Sequence, residues 1–204
     1  MTYIFDHTTD IETTLEELDV KFTCPNAGWV RLMIKPLHKT RGIDCSYVFD
    51  PFPEMIEWLE QIASGARTAT WEIDEEGQTS HLQFYAAPQT FGKEPGNLLL
   101  HMQSSDGGIL RIRGTRVDRR QLVESVYRTF RTMTADPAYL PREWEMHPQF
   151  HLLDDLDEEE EEYEREREKF PYTGHNLRQL TSVVVENYLA ERADSDRQLT
   201  LFSQ

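Results

Sequence analysis

Cysteine is nearly absent from this chain: Cys24 and Cys45 are the only two, and their spacing fits neither a metal-ligand pair nor a redox pair. With no histidine cluster to complete a site, they read as reduced residues of a cytoplasmic protein. Long apolar runs are missing too. No stretch approaches the roughly 20 apolar residues of a membrane span. Residues Met1 to His7 hold neither a basic region nor an apolar core, so no signal peptide and no membrane partner are expected. A glycine-rich phosphate loop is lacking, since Gly107-Gly108 is a hairpin turn rather than a cradle. No Ser or Cys sits in a nucleophile-elbow context. Only His147 and His151 have metal-like spacing, with Glu143 and Glu145 nearby, and Pro148 breaks the helix that would aim both imidazoles one way. Asp74, Glu75 and Glu76 adjoin in a hairpin turn, where exposed carboxylates are the default. The expectation is a non-enzymatic protein with no catalytic residue, no metal and no cofactor.

Positive charge is scarce as well: 37 acids face 21 Lys and Arg, a net −16. Half of that excess is local. Asp154 to Lys169 holds eleven acids and three bases, a net −8. This run reads either as a solvated linker extended by self-repulsion or as an electrostatic partner for a basic protein. It would be helical only in part. The pairs Glu161 with Arg165, Glu162 with Arg165, Glu164 with Arg167 and Glu166 with Lys169 all favour its second half. The opposite bias lies upstream, where residues 111–131 carry seven arginines against Asp118 and Glu124. Arg111, Arg113, Arg116, Arg120 and Arg128 are candidate phosphate ligands for DNA. The same arginines could instead meet the chain's own acidic run, or be plain surface. Tyr127 and Phe130 fall on the apolar stripe of the helix and offer no stacking platform for bases.

Hydrophobic content of 38% is low for a compact globule, while 11% aromatic residues are ample, so a core beside solvated segments is expected. Strand patterns run over Leu18–Phe22, Trp29–Ile34 and Ser46–Phe49. Asp50-Pro51-Phe52-Pro53 then starts a helix over Glu54–Ala63. Two hairpins follow, Arg67–Asp74 with Thr79–Tyr85 and Asn97–Gln103 with Ile109–Arg113. Asp118 caps a helix to Met133, with Leu122, Val123, Val126, Tyr127, Phe130 and Met133 on one face. Hairpin turns force antiparallel pairing. The predicted fold is α+β, one antiparallel sheet of six or seven strands with two helices on one face. The predicted organisation is a globular domain over 1–150, an acidic linker or helix over 151–173, a C-terminal helix over 174–192, and a flexible tail over 193–204. Tyr139 to Trp144 should pack back on the body, and Leu177, Leu180, Val184, Tyr188 and Leu189 mark one amphipathic helix.

The tail carries the sharpest motif. Behind Ala193-Asp194-Ser195-Asp196-Arg197 comes Gln198-Leu199-Thr200-Leu201-Phe202. An amide followed by large apolar side chains on a polar tail is built like a peptide ligand, or like a terminal strand that packs on its own core. The string resembles the bacterial sliding-clamp-binding motif, Gln-Leu-x-Leu-Phe, and matches all four of its defined positions. Average composition gives such a string by chance in well under about one chain in a hundred. The resemblance implies that Gln198 bonds at a pocket rim, Leu199 makes a secondary contact, and Leu201 with Phe202 anchor in an apolar cleft of the bacterial DNA polymerase sliding clamp. It implies an accessory protein of replication, repair or mobile-element biology. The alternative, from charge alone, is an acidic inhibitory protein such as a toxin-immunity protein or DNA mimic. An upstream near-copy, Arg178-Gln179-Leu180-Thr181, lacks the final Leu and Phe and lies within the helical pattern.

Overall fold

The computed structural model describes residues 15, 17–37, 42–88, 94–145 and 176–191. Their elements run β1 (Asp19–Phe22), β2 (Trp29–Lys35), β3 (Ile43–Ser46), α1 (Phe52–Ala63), β4 (Thr68–Asp74), β5 (Gln78–Ala86), β6 (Pro95–Ser104), β7 (Ile109–Asp118), α2 (Arg119–Ala135) and α3 (Pro141–Glu145). A 3₁₀ turn, Leu177–Gln179, precedes a last helix, α4, over 183–191. No helix among the described residues is long and apolar enough to cross a membrane.

The chain is α+β, but its strands do not share one sheet. They form two antiparallel sheets, ordered β1-β2-β3 and β4-β5-β6-β7. The expected sheet of six or seven strands fails at the β3–β4 boundary, where side chains replace a backbone ladder. Asp44 N–H, on β3, donates to Glu75 Oε2 at 3.0 Å. Ser46 Oγ donates to Glu76, and Ser80 Oγ donates to the other oxygen of Glu75 at 2.5 Å. An edge amide satisfied by a carboxylate needs no neighbouring strand. Glu75 is buried in this role, contrary to the exposed turn that its position beside Gly77 implied. The third strand also lies earlier than expected. Ser46 Oγ accepts from Val48 N–H, which turns the chain just where the strand was expected to begin, and Phe49 is 50% exposed.

Within the second sheet, burial alternates residue by residue, so one face is covered as the pattern predicted. Trp71 on that face packs on Trp58 of α1, with ring centroids 5.8 Å apart, and its indole N–H donates to the Pro51 carbonyl. Helix α2 begins where the sequence placed it, with Asp118 accepting from Gln121 N–H at 3.1 Å. Its apolar stripe, from Leu122 to Met133, is buried against β1, α1 and β7. Phe22, Phe52, Phe130 and Trp144 close the core as one ring cluster joining β1, α1, α2 and α3. Tyr139 and Trp144 thus pack on the body as expected. Gly28 has φ +78° and donates to the Glu143 carbonyl; a Cβ there would run into the Tyr47 ring.

Candidate functional site

The arginines of β7 and α2 do not gather into one phosphate-binding surface. Arg113 and Arg116 lie three residues apart on a strand, so they project from opposite faces of the sheet. Arg119 is almost fully buried and donates to the carbonyl of Ile62 in the last turn of α1 and to that of Ala66 just beyond it. It also pairs with Glu94 at 3.3 Å and lies over the Phe84 ring. Here a cation neutralises the negative end of a helix. Arg120 donates to the Leu189 carbonyl at 2.8 Å. Arg131 donates to the carbonyls of Arg178 and Leu180 at 2.9 and 3.0 Å. Arg128 is the exposed member, 65% accessible, and pairs with Glu124 at 2.8 Å. The side chain of Arg111 lies outside the described residues.

Two of these arginines therefore hold the C-terminal segment, which lies along α2. Arg178 reciprocates, donating to the carbonyls of Thr134 and Tyr139 while its guanidinium covers the Tyr139 ring. Between the two ends sits a polar knot. The Tyr127 hydroxyl donates to Glu186 at 2.9 Å and accepts from Ser182 N–H at 3.0 Å. Ser182 Oγ donates to Glu60 at 2.7 Å and accepts from Val185 N–H, which makes Ser182 the N-cap of α4. That cap splits the single amphipathic helix expected over Leu177 to Leu189 into a 3₁₀ turn and α4. Burial pushes the Tyr127 phenol up, and Glu186 adds to the effect against the Ser182 N–H. Sequence reading missed this knot because the bonds that tie Tyr127 and Glu60 to the segment span 55 to 122 residues.

The Cys45 thiol is pushed well up by burial, then by Glu75, Asp44 and Asp50, which leaves it a poor nucleophile. Both cysteines are free. Among the described residues no group of three or more His, Cys, Asp or Glu could hold a metal ion. His81 and His101 stack directly across β5 and β6, ring centroids 5.7 Å apart, on the outer face of the second sheet. His147, His151, the acidic run 154–169 and the motif residues Gln198, Leu199, Leu201 and Phe202 lie outside the described residues. No family model, curated protein or solved structure matches the chain.

Proposed function

We propose that this protein is a non-enzymatic, cytoplasmic accessory or regulatory factor that binds the bacterial DNA sliding clamp through residues 198–202. The observation that carries the reading is the motif itself, with Gln198, Leu199, Leu201 and Phe202 at its four defined positions. The fold adds an anchor point. Helix α4 is tied to α2 by Arg120 and Tyr127, and Gln198 follows its last described residue by seven positions. Seven residues reach at most about 25 Å, so a clamp-bound peptide keeps the body beside the clamp. Burying Leu201 and Phe202 contributes about 1.5–3 kcal/mol each, against about 1–2 kcal/mol for each residue ordered. The contact is weak and reversible, on the order of micromolar. The commitment of Arg120 and Arg131 to backbone carbonyls argues against a broad DNA surface on α2.

The test is a titration of purified clamp with the wild-type chain and with Leu201→Ala/Phe202→Ala. At least tenfold weaker binding, at unchanged thermal stability, is expected of the double variant. Equal affinities sink the proposal. A large fall in melting temperature would put Leu201 and Phe202 in the protein's own core instead.

A further inference from the structure

The two sheets differ in the faces they turn away from the core. The first carries Asp19 and Lys21 on β1, Arg31 and Lys35 on β2 and Asp44 on β3, joined in the ion pairs Lys35–Asp19 and Arg31–Asp44. That is the composition of a face bathed by water. The second sheet meets α1 and α2 through its covered face, by Trp71 on Trp58 and by Phe84 under Arg119. Its outer face is built from the alternate positions. On β5 these are Thr79, His81, Gln83 and Tyr85. On β6 they are Asn97, Leu99, His101 and Gln103. The two central strands thus present no Asp, Glu, Lys or Arg, in a chain where those residues make up 28%. Each of these side chains is part-buried, and several are already fixed by their neighbours. His81 stacks on His101, and the Tyr85 hydroxyl donates to Gln83. Depletion of charge marks the centre of protein–protein contacts, and side chains ordered beforehand lose little freedom on binding.

The occupant that fits this face is a second copy of the chain. Fixed charge returns only on the two outer strands, with Glu72 and Asp74 on β4 and Arg116 on β7. The register sets Arg116 in a row with Asn97, Tyr85 and Thr68, and Glu72 in a row with His81 and His101. Glu72 and Arg116 therefore mark opposite corners, and the pair Gln83–Leu99, in the row between, lies at the middle. A two-fold axis in the plane of contact, passing over that pair, exchanges the corners. Glu72 of each copy then meets Arg116 of the other, which makes the face complementary to itself. Elsewhere two copies of a chain of net −16 repel wherever their acids meet. Strands of seven residues, four abreast, cover about 450 Å². The total of about 900 Å² from two copies falls below the roughly 1,200 Å² of a stable interface, so the association is reversible. We propose that two copies of this chain associate through the outer faces of their second sheets, as a weak two-fold dimer centred on Gln83 and Leu99.

Sedimentation of the full chain over a wide range of concentration tests this. A monomer–dimer equilibrium is expected, with a dissociation constant on the order of 10–100 μM. Leu99→Glu should weaken it at least tenfold, because the new carboxylates meet across the two-fold axis. Met33→Glu, which places the same charge on the outer face of the first sheet, should change it less than twofold. Thermal melting of the dilute variants checks that both fold, and Gln83→Glu carries the same test should Leu99→Glu unfold. Glu72→Arg and Arg116→Glu should each weaken the dimer, and the two combined should restore it. A chain that stays monomeric throughout overturns the proposal. So does a dimer that Leu99→Glu or Gln83→Glu leaves as strong, because the contact then lies elsewhere. Failure of the combined charge exchange to restore association overturns the two-fold arrangement.

Discussion

The body and the C-terminal segment are held by different means. In the body, four rings from four elements meet with centroids 5.1–6.1 Å apart, and all but Phe22 are fully buried. The segment buries only Leu177, Val185 and Leu189 among its apolar residues, while Val183 and Val184 stay 70% and 42% exposed. What fastens it is largely polar: guanidinium to carbonyl at Arg120, Arg131 and Arg178, hydroxyl to carboxylate at Tyr127 and Ser182. A typical hydrogen bond adds about 0.5–1.5 kcal/mol net, less than the about 1.5–3 kcal/mol of a buried large apolar side chain. The segment should therefore open well below the free energy that unfolds the body. Backbone carbonyls are also the same whatever the residue, so the α2 arginines fix where the segment lies more than which residues it contains.

The largest blow to the body should come from Phe52→Ala. Phe52 touches Phe22, Phe130 and Trp144 and is fully buried. Its truncation should cost about 3–5 kcal/mol in chemical denaturation, and every probe should report the same transition. A loss below about 1 kcal/mol would mean that the ring cluster is not what unifies the fold.

Tyr127→Phe sharpens the contrast from the other side. It keeps the apolar ring on α2 and removes only the hydroxyl that joins Ser182 to Glu186. Leaving Ser182 N–H without its acceptor should cost about 1–3 kcal/mol, and the effect should stay local. Amides from 182 to 191 should exchange roughly tenfold faster or more, while those of β5 and β6 do not change. If β5 and β6 accelerate in step, the segment is part of the body's cooperative unit and the contrast fails.

What the sequence disclosed follows the range of the interactions involved. The α2 stripe and its Asp118 cap are local, and both were legible at one-residue accuracy. The hairpin turns were plain as well, because Gly77 and Gly107 mark them, but β7 runs on to Asp118, five residues past the expected end at Arg113. The break between the sheets was not legible, because it rests on Glu75 and Glu76 reaching β3 from 31 and 30 residues away. Acids beside a glycine give no sign that they will be buried. The bonds of Arg120 and Arg131 were hidden for a similar reason: charge counting reveals sign, while carbonyls of residues 178, 180 and 189 leave no mark in a sequence. Residues 198–202 lie outside the described residues, and no described contact bears on them.

The smallest expected effect uses pH to separate the two regions. His101 belongs to the body, on the outer face of the second sheet, stacked on His81, which in turn lies 3.4 Å from Glu72. Burial, then the neighbouring His81, lowers the His101 pKa below its ordinary value of 6.5. The folded state thus binds fewer protons at this site than the unfolded chain does. Stability from a neutral His101 is full above pH about 6.5 and is lost as pH falls toward the lower folded value. The segment responds the other way. Tyr127 has a raised phenol pKa, so its contribution is complete below its ordinary value of 10.0 and declines only as pH rises beyond that. Denaturation between pH 7.5 and 5 should show falling stability of the body, and His101→Gln should flatten that slope without altering exchange at 182–191. An unchanged slope in His101→Gln would assign the acid response to other groups. Faster exchange at 182–191 on acidification would show that the segment shares the body's pH dependence, and the two regions would no longer be separable by this means.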